Sequence, residues 1–341
     1  MKVALCSPYM PFTRSGTRTV IAALQAVLRE AGHQTEAVYL PHVNAPQHLM
    51  QQMAAFRWLE LEETAERIIC FGPPAHVIRH PAKVLWFLHA WDEQRQVPRE
   101  HQDDERQRGL MDALRRADGV ALREARSVYT NSRRVAADLS RVNGVDAAML
   151  HPPLHMPGRF HSREFNDEVL CVTSIQPQKR QHLLLQAMRH TRTPVRLRLC
   201  GATLSPQYAD ELRGAIADCG LQERVALESE WISEERKVDL LADCLAAAHV
   251  PLSEDWHGFF ALEAGHAGKA MLTTSDTGGV LDLIEGGRNG VVADPAPEAL
   301  GAALDMLYTN REETRRLGTG AKTRVEELGS DWTAVVAALL Q

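Results

Sequence analysis

The stretch SEDWHGFFALEAGHAGKAM, residues 253–271, places carboxylates and a glycine close to an apolar run. Glu263 stands in the otherwise apolar run FFALEAGHAG, where no lysine or arginine lies at helical spacing from it. Two acids, Glu254 and Asp255, and a glycine at position 258 come just before that run. The Glu263 carboxylate therefore either faces solvent or lies at the wall of a pocket that binds a ligand.

The residues before Glu263 could bind a phosphate. Gly258 allows close approach of the backbone, and the N–H groups of Phe259 and Phe260 fall in the first turn of the predicted helix. Glu263 lies about one turn farther on, and a carboxylate can accept hydrogen bonds from both hydroxyls of a ribose. A helix start for phosphate and a carboxylate for ribose is what nucleotide recognition requires.

A second candidate site is the segment TSIQPQKRQHLLL, residues 173–185. A predicted strand ends at Ser174, and Lys179 and Arg180 stand just before a predicted helix. Cations beside a helix N-terminus oppose its dipole, at a cost of about 0.3–1 kcal/mol each. A bound anion such as a diphosphate would offset that cost. The alternative is a pair of surface cations on a solvated turn.

The first predicted strand is followed by SPYMPFTRSGTRTV, which holds one glycine, Gly16, where a dinucleotide fingerprint needs three. No Walker loop occurs either, so binding of NAD or FAD is disfavoured. Gly16 begins the first predicted helix, and backbone N–H groups there could receive a phosphate or a sugar hydroxyl. A plain turn from loop to helix is the alternative.

Along the chain, short β-rich runs alternate with amphipathic helices, a pattern typical of parallel α/β sheets. The length of 341 residues indicates two domains. Residues 151–167, HPPLHMPGRFHSREFND, contain three prolines and no periodicity, so they are the predicted linker. We expect doubly wound domains at 1–155 and 156–324, with a final helix at about 325–341 packing back on the first. Ligands bind such sheets at the carboxyl ends of the strands.

Composition excludes several classes of function. The formal net charge of −6 gives no overall drive toward nucleic acid. Six scattered cysteines without a CxxC motif indicate buried thiols in a reducing cytosol, and neither a zinc site nor disulfides. No run of 18 apolar residues occurs. We therefore expect a cytoplasmic protein. A weak peripheral contact with the inner face of the membrane, through the basic run RHTRTPVRLR, is an alternative left open.

The stretch EDWHGFFALEAGHAGKAMLTTSDTGGVLDLIEGGRNGVVADP resembles the donor-binding region of family-4 glycosyltransferases, which are retaining enzymes. Their pattern is E-x7-E around a glycine loop, then LEA, AxGKPVV, a GG turn and an NG turn. Other segments resemble the same family in the same order: SGTRTVIAAL, VIRHPAKVLWFLHA, VYTNSRRVAADLSR and SIQPQKRQHLLLQAM. The resemblance covers nearly the whole chain. It implies the GT-B fold, two Rossmann-like domains that face each other across a cleft.

Carried over residue by residue, the resemblance implies a donor site in the second domain. Glu263 would bind the donor ribose, and Lys179 the diphosphate. Gly258, Phe259 and Phe260 would lie along the donor sugar and phosphates.

The resemblance also implies residues of the first domain. His89 would lie near the reacting face of the sugar, and Gly16 near a phosphate or the acceptor. Asn131 and Ser132 would line the cleft.

Two departures from the family pattern stand out. The family often has an arginine on the diphosphate five residues before the lysine, and that position is Ser174 here, so Arg180 could take its place. Asp255 stands eight residues before Glu263 and Glu254 stands nine before it. Either of the two could be the first carboxylate of the motif, which we assign to the catalytic centre together with His89.

The resemblance implies transfer of a hexose from a nucleoside-diphosphate-sugar to a glycan, lipid-linked or small-molecule acceptor, with retention at the anomeric carbon. Such an enzyme would act in polysaccharide biosynthesis. It would need no cofactor beyond the donor and, because no DxD sequence occurs, no metal ion. The alternatives are a non-catalytic nucleotide-sugar-binding protein and a nucleotide-sugar epimerase of the same fold.

Overall fold

The computed structural model describes residues 1–12, 16–43, 48–88, 105–329 and 331–341. The chain forms two compact units, Met1–Pro153 with Ser330–Gln341, and Leu154–Gly329. Each unit contains a six-stranded sheet whose paired strands are parallel. The predicted class, two Rossmann-like α/β domains, is confirmed.

The sheet of the first unit has the strand order β2-β1-β3-β4-β5-β6. Its strands are β1 (Lys2–Tyr9), β2 (Gln34–Pro41), β3 (Arg67–Cys70), β4 (Lys83–Phe87), β5 (Ser127–Thr130) and β6 (Ala148–Met149). Its helices are α1 (Gly16–Glu30), α2 (Leu49–Arg57), α3 (Glu105–Arg123), α4 (Arg133–Asp138) and, at the C-terminus of the chain, α11 (Trp332–Leu340).

The core of the first unit follows from its sequence periodicities. Every residue of β3 and β4 is buried, as expected for central strands covered on both faces. The helix α1 buries Val20, Leu24 and Leu28, which recur every four residues on one side. The C-terminal helix α11 belongs to this unit, because Tyr129 Oη donates a hydrogen bond of 3.0 Å to a carbonyl of that helix.

The sheet of the second unit has the strand order β12-β11-β10-β7-β8-β9. Its strands are β7 (Glu168–Val172), β8 (Arg196–Cys200), β9 (Val225–Glu228), β10 (Ala246–Ala248), β11 (Met271–Thr274) and β12 (Gly290–Ala293). Its helices are α5 (Gln181–Met188), α6 (Pro206–Asp218), α7 (Glu234–Asp243), α8 (Gly258–His266), α9 (Pro297–Thr309) and α10 (Arg311–Glu327). Within the described ranges, no helix combines the length and the hydropathy that crossing a membrane requires.

Two local predictions differ from the structure. No element is predicted at α2, where Leu49, Met53 and Phe56 are buried at helical spacing, because no side chain caps the start of this helix. The segment GGVLDLIEGG, for which the sequence predicts a short helix, forms only a 3₁₀ turn, Gly279–Asp282, because the following residues turn toward the start of β12.

Candidate functional site

Three loops of the second unit meet at one edge of its sheet. They follow β7, β10 and β11, which are neighbours in the sheet, so their carboxyl ends lie side by side. Backbone N–H groups of Ser253 and Glu254 donate to the carbonyls of Asp276 and Thr277, both at 3.0 Å. Leu252 N–H donates to a carbonyl in the loop after β7 at 2.9 Å. The loop with the two candidate carboxylates is thereby held between its neighbours.

The GG turn fixes the backbone at those carboxylates. A Cβ added at Gly278 would lie 2.4 Å from the carbonyl oxygen of Glu254, and one added at Gly279 would lie 2.4 Å from that of Asp255. Side chains larger than hydrogen therefore cannot be accommodated there without moving the loop. Glycine is required at both positions because the backbone of Glu254 and Asp255 packs directly against the turn.

Arg180 joins the three loops. Its guanidinium donates to the carbonyls of residues 250 and 251 at 2.8 and 2.9 Å and to both carboxylate oxygens of Asp276 at 2.7 Å. It also donates to the hydroxyl of Thr274 at 2.8 Å. The hydrogen bonds from Arg180 lower the pKa of Asp276. The guanidinium is thus engaged within the protein, and its role as a replacement for the missing diphosphate arginine stays a prediction.

Lys179 lies on the open side of this edge. It ends the short 3₁₀ turn Pro177–Lys179, and its side chain is 18% exposed and forms an ion pair with Glu254. The other Glu254 oxygen lies 3.1 Å from His249 Nε2. Burial lowers the pKa of His249 to about 3, and the charges of Lys179 and His257 add to the effect. His249 is therefore neutral near pH 7 and donates its Nε2–H to Glu254.

The start of α8 completes this edge. Gly258 has φ +75°, and the side chain of the preceding His257 does not cap the helix. The first-turn N–H groups are those of Gly258, Phe259 and Phe260, which have no partner inside the helix. The Phe260 ring is buried against His249, whereas Phe259 is half-buried and meets the Trp256 ring edge-on, with 4.9 Å between centroids. Only the backbone of these phenylalanines is suited to bind a polar ligand.

Glu263 is buried, with 5% of its surface exposed, and it has a partner that the sequence analysis does not identify. Lys237 Nζ of α7 donates to Glu263 Oε1 at 2.6 Å and to Glu234 Oε1 at 3.0 Å. Burial raises the pKa of the Glu263 carboxyl, and the charge of Lys237 opposes that rise. Lys237 stands four residues before the buried Leu241 and so lies on the apolar side of α7. A cation in that position is the feature of the sequence that could have indicated a buried acidic partner.

Ser174, at the position of the family arginine, is half-buried two residues after the end of β7. Its hydroxyl accepts a hydrogen bond of 3.0 Å from Gln176 Nε2, and its carbonyl accepts one of 2.8 Å from Gln181. A contact from Ser174 to a diphosphate stays a prediction.

The residues predicted in the first unit are placed as follows. Asn131 and Ser132 are buried after β5; Asn131 Nδ2 donates to the carbonyl of Leu88 at 3.3 Å, and the Ser132 hydroxyl caps α4. Their predicted place along a cleft stays a prediction. Gly16 is the exposed first residue of α1, and its contact with a phosphate or acceptor stays a prediction as well. His89 lies outside the described residues.

Among the residues that the structure describes, no three His, Cys, Asp or Glu side chains are grouped so that they could hold a metal ion. The carboxylates nearest the open edge are already engaged by cations, Glu254 by Lys179 and Asp276 by Arg180. The described cations at this edge are Lys179 and Arg180, and the expectation that no metal ion is needed stays a prediction.

The second unit resembles a known family of proteins. Residues 159–324 match the family model described as glycosyl transferases group 1. A stretch of 121 residues is 26% identical to the alpha-1,3/1,6-mannosyltransferase ALG2 of Dictyostelium discoideum. That stretch is 36% of this chain and spans only 28% of the length of ALG2. The second unit is thus similar to glycosyl transferases group 1 over most of its length.

Solved structures resemble the whole chain. HepE of Anabaena, in a crystal structure with UDP and glucose, superposes with a TM-score of 0.72 at 16% identity and with 99% of each chain covered. Sucrose-phosphate synthase of Thermosynechococcus elongatus superposes with a TM-score of 0.77 at 16% identity, covering 98% of this chain and 97% of that one. At such identities the likeness shows the fold alone, and that fold is the GT-B class.

Proposed function

We propose that this protein is a retaining glycosyltransferase that uses a nucleoside-diphosphate-sugar and no metal ion. The observation that carries the proposal is the meeting of Lys179 with Glu254 beside the start of α8, at the carboxyl ends of the adjacent strands β7 and β10. The match of residues 159–324 to group 1 glycosyltransferases and the UDP complex of HepE support it.

Each group of the site has a role in this proposal. Lys179 and the first-turn N–H groups of α8 stabilise the negative charge that develops on the leaving diphosphate. Glu263 accepts from the ribose hydroxyls. Glu254 holds Lys179 in place while the donor is absent and gives way to the diphosphate when it binds. Asp255 is then the carboxylate left to contact the sugar.

The reaction proceeds by attack on the face from which the diphosphate leaves. The bond from the anomeric carbon to the phosphate oxygen breaks, and a bond from that carbon to the acceptor oxygen forms. The departing diphosphate takes the proton of the acceptor hydroxyl, so no base of the protein is required. The acceptor is a glycan, a lipid-linked glycan or a small molecule.

A non-catalytic nucleotide-sugar-binding protein is the second candidate, and one observation favours it. Ser174 stands where the family often has an arginine, and Arg180 is already engaged by Asp276 and neighbouring carbonyls. The site therefore has one cation for a diphosphate where two are common. Such a protein would bind donor without hydrolysing or transferring it.

A thermal-shift screen of UDP-, GDP- and ADP-linked sugars tests both candidates. A ligand present at 100 times its Kd stabilises the folded state by about 2.7 kcal/mol, which raises the Tm measurably. We expect one nucleotide class to raise it, and transfer with that donor to give a product of unchanged anomeric configuration by NMR. The enzyme proposal fails if donor binds without turnover over a broad acceptor pool, and both candidates fail if no nucleotide binds.

A further inference from the structure

Lys237 holds one oxygen of Glu263 and leaves the other without a protein partner. Its ammonium donates to Glu263 Oε1 at 2.6 Å. No hydrogen bond reaches Glu263 Oε2 from any residue in the described ranges 1–12, 16–43, 48–88, 105–329 and 331–341. The described buried side-chain atoms that lack a partner do not include Glu263 Oε2, so this oxygen is the part of the carboxylate that reaches the surface. Glu263 Oε2 can therefore accept a hydrogen bond from a ligand.

We propose that Lys237 is a positioning residue for nucleotide recognition: by holding Glu263 Oε1, it directs Oε2 toward a ribose hydroxyl and sets a preference for ribonucleotides over 2′-deoxyribonucleotides. This inference rests on the proposed function, because it takes the ligand of Glu263 to be the ribose of a nucleotide.

Lys237 is itself fixed by a short chain of charges. Glu234 of α7 accepts from Lys237 Nζ at 3.0 Å and also forms an ion pair with Arg159. The Lys237 side chain is 13% exposed and those of Arg159 and Glu234 are 29% and 40% exposed, so the chain of charges runs from the surface inward to Glu263. A lysine tethered at two carboxylates has few rotamers open to it, and the Glu263 carboxylate is oriented accordingly.

Lys237 also affects the protonation of Glu263. The charged groups that act on it are Lys237 and Glu234 from α7 and Arg159 from the segment before β7. The α10 side chain that packs against α8 at Gly265 is Val325, which is uncharged. Burial raises the pKa of Glu263 and Lys237 opposes that rise, so removal of the lysine charge would raise the pKa of Glu263 further. Nucleotide binding would then weaken as the pH falls toward that pKa.

The experiment uses the full chain with Lys237→Met and Lys237→Arg, and with Lys322→Met as the matched control on an exposed position of α10. Kd values for UDP, GDP, ADP and their 2′-deoxy forms are measured by calorimetry between pH 6 and pH 8. If the methionine variant does not fold, Lys237→Ala takes its place, because alanine also removes the ammonium and has a high helix propensity.

We expect the wild type to bind its nucleotide about 10-fold or more tightly than the 2′-deoxy form, as loss of a hydrogen bond to a charged group predicts. In Lys237→Met that ratio falls to about 1 to 3, and the affinity loss against wild type grows as the pH is lowered. Lys237→Arg restores most of the ratio, and Lys322→Met leaves it unchanged. An affinity loss in Lys237→Met that keeps the full ratio at every pH overturns the inference.

A second measurement needs no nucleotide. The pKa of Glu263 is raised above its usual value of 4.5, so the folded state keeps this proton at pH values where the unfolded state has lost it. The free energy of unfolding therefore falls as the pH rises from 4.5 to the pKa of Glu263 in the folded state. The Tm deficit of Lys237→Met should therefore widen from pH 5 to pH 8, and a constant deficit overturns the electrostatic role of Lys237. If wild type binds none of the three nucleotides, the proposed function and the ribose preference both fail, whereas this Tm profile still reports on the pair.

Discussion

Two lysine–glutamate pairs of the second unit have the same chemistry and different surroundings. Lys179 and Glu254 join two loops at the carboxyl edge of the sheet, with side chains 18% and 24% exposed. Lys237 and Glu263 join the helices α7 and α8, with side chains 13% and 6% exposed. The first pair is therefore the more exposed of the two, and the second lies at the margin of a core, where one oxygen of Glu263 is left for a ligand.

Because the two pairs differ in exposure, they differ in the free energy that is needed to break them. A partly exposed ion pair is worth about 0–1 kcal/mol, so an incoming anion can replace Glu254 on Lys179 at little cost. Breaking a buried pair leaves an uncompensated charge and is far more costly. The loop pair is therefore suited to exchange with a diphosphate, and the helix pair is suited to hold a carboxylate still.

The largest effect is expected for Lys179→Ala. Removal of the cation that stabilises the leaving diphosphate should lower kcat/KM by about 10²–10³-fold, the range seen when one preorganised electrostatic group is removed. The Tm should change little, because the side chain is partly exposed and Glu254 keeps His249 as a partner. Steady-state kinetics and a melting curve measure the two quantities.

Lys322→Ala, on the exposed side of α10, is the matched control and should leave kcat/KM unchanged. A Lys179→Ala variant with nearly wild-type turnover would show that the loop pair is only a surface ion pair.

The sequence predicts the architecture well because each element carries its own signal. The buried runs of β3, β4 and β7 are bounded by turn residues, and α1 shows an apolar face at helical spacing. These signals are local, so they do not depend on which elements become neighbours.

Contacts between elements are what the sequence could not supply. Glu263 has no cation on its own helix, yet Lys237 reaches it from another helix 26 residues earlier in the chain. Arg180 is adjacent to Lys179 in sequence, yet its guanidinium turns toward Asp276, 96 residues away, because its backbone has the left-handed φ of +52°. The partner of a charge is decided by tertiary packing, which a single sequence does not show.

The second effect is expected for Glu263→Ala, which should weaken donor binding by about 10- to 100-fold through loss of a charged hydrogen-bond acceptor. The high helix propensity of alanine would by itself leave stability unchanged. Because Lys237 loses one of its two partners, we expect the free energy of unfolding to fall by about 1–3 kcal/mol. Denaturant titration and calorimetry measure the two changes.

Glu254→Ala tests the comparison from the other pair and should change the free energy of unfolding by about 1 kcal/mol or less. Equal destabilisation by the two alanine variants would refute the distinction between an exchangeable pair and a fixed pair.

A smaller effect of opposite sign is expected for Glu254→Gln. Glutamine keeps the volume and can still accept from His249, but it no longer competes with an anion for Lys179. The affinity for a bare nucleoside diphosphate should therefore rise, by about 2- to 5-fold for an exposed pair of this strength. A calorimetric Kd that becomes weaker would mean that the glutamate itself contributes to nucleotide binding.

The smallest effect is expected from a chelator. At this edge Glu254 and Asp276 are paired with Lys179 and Arg180, and no cluster of three metal-ligand side chains occurs in the described ranges. If Lys179 and the start of α8 supply the positive charge for the diphosphate, millimolar EDTA should leave the initial rate of transfer unchanged within error. Loss of activity on EDTA, with recovery on added Mg²⁺ or Mn²⁺, would instead mean that a metal ion supplies charge that these protein groups do not. The exchange of Glu254 for diphosphate on Lys179 would then be insufficient to explain how the leaving group is stabilised.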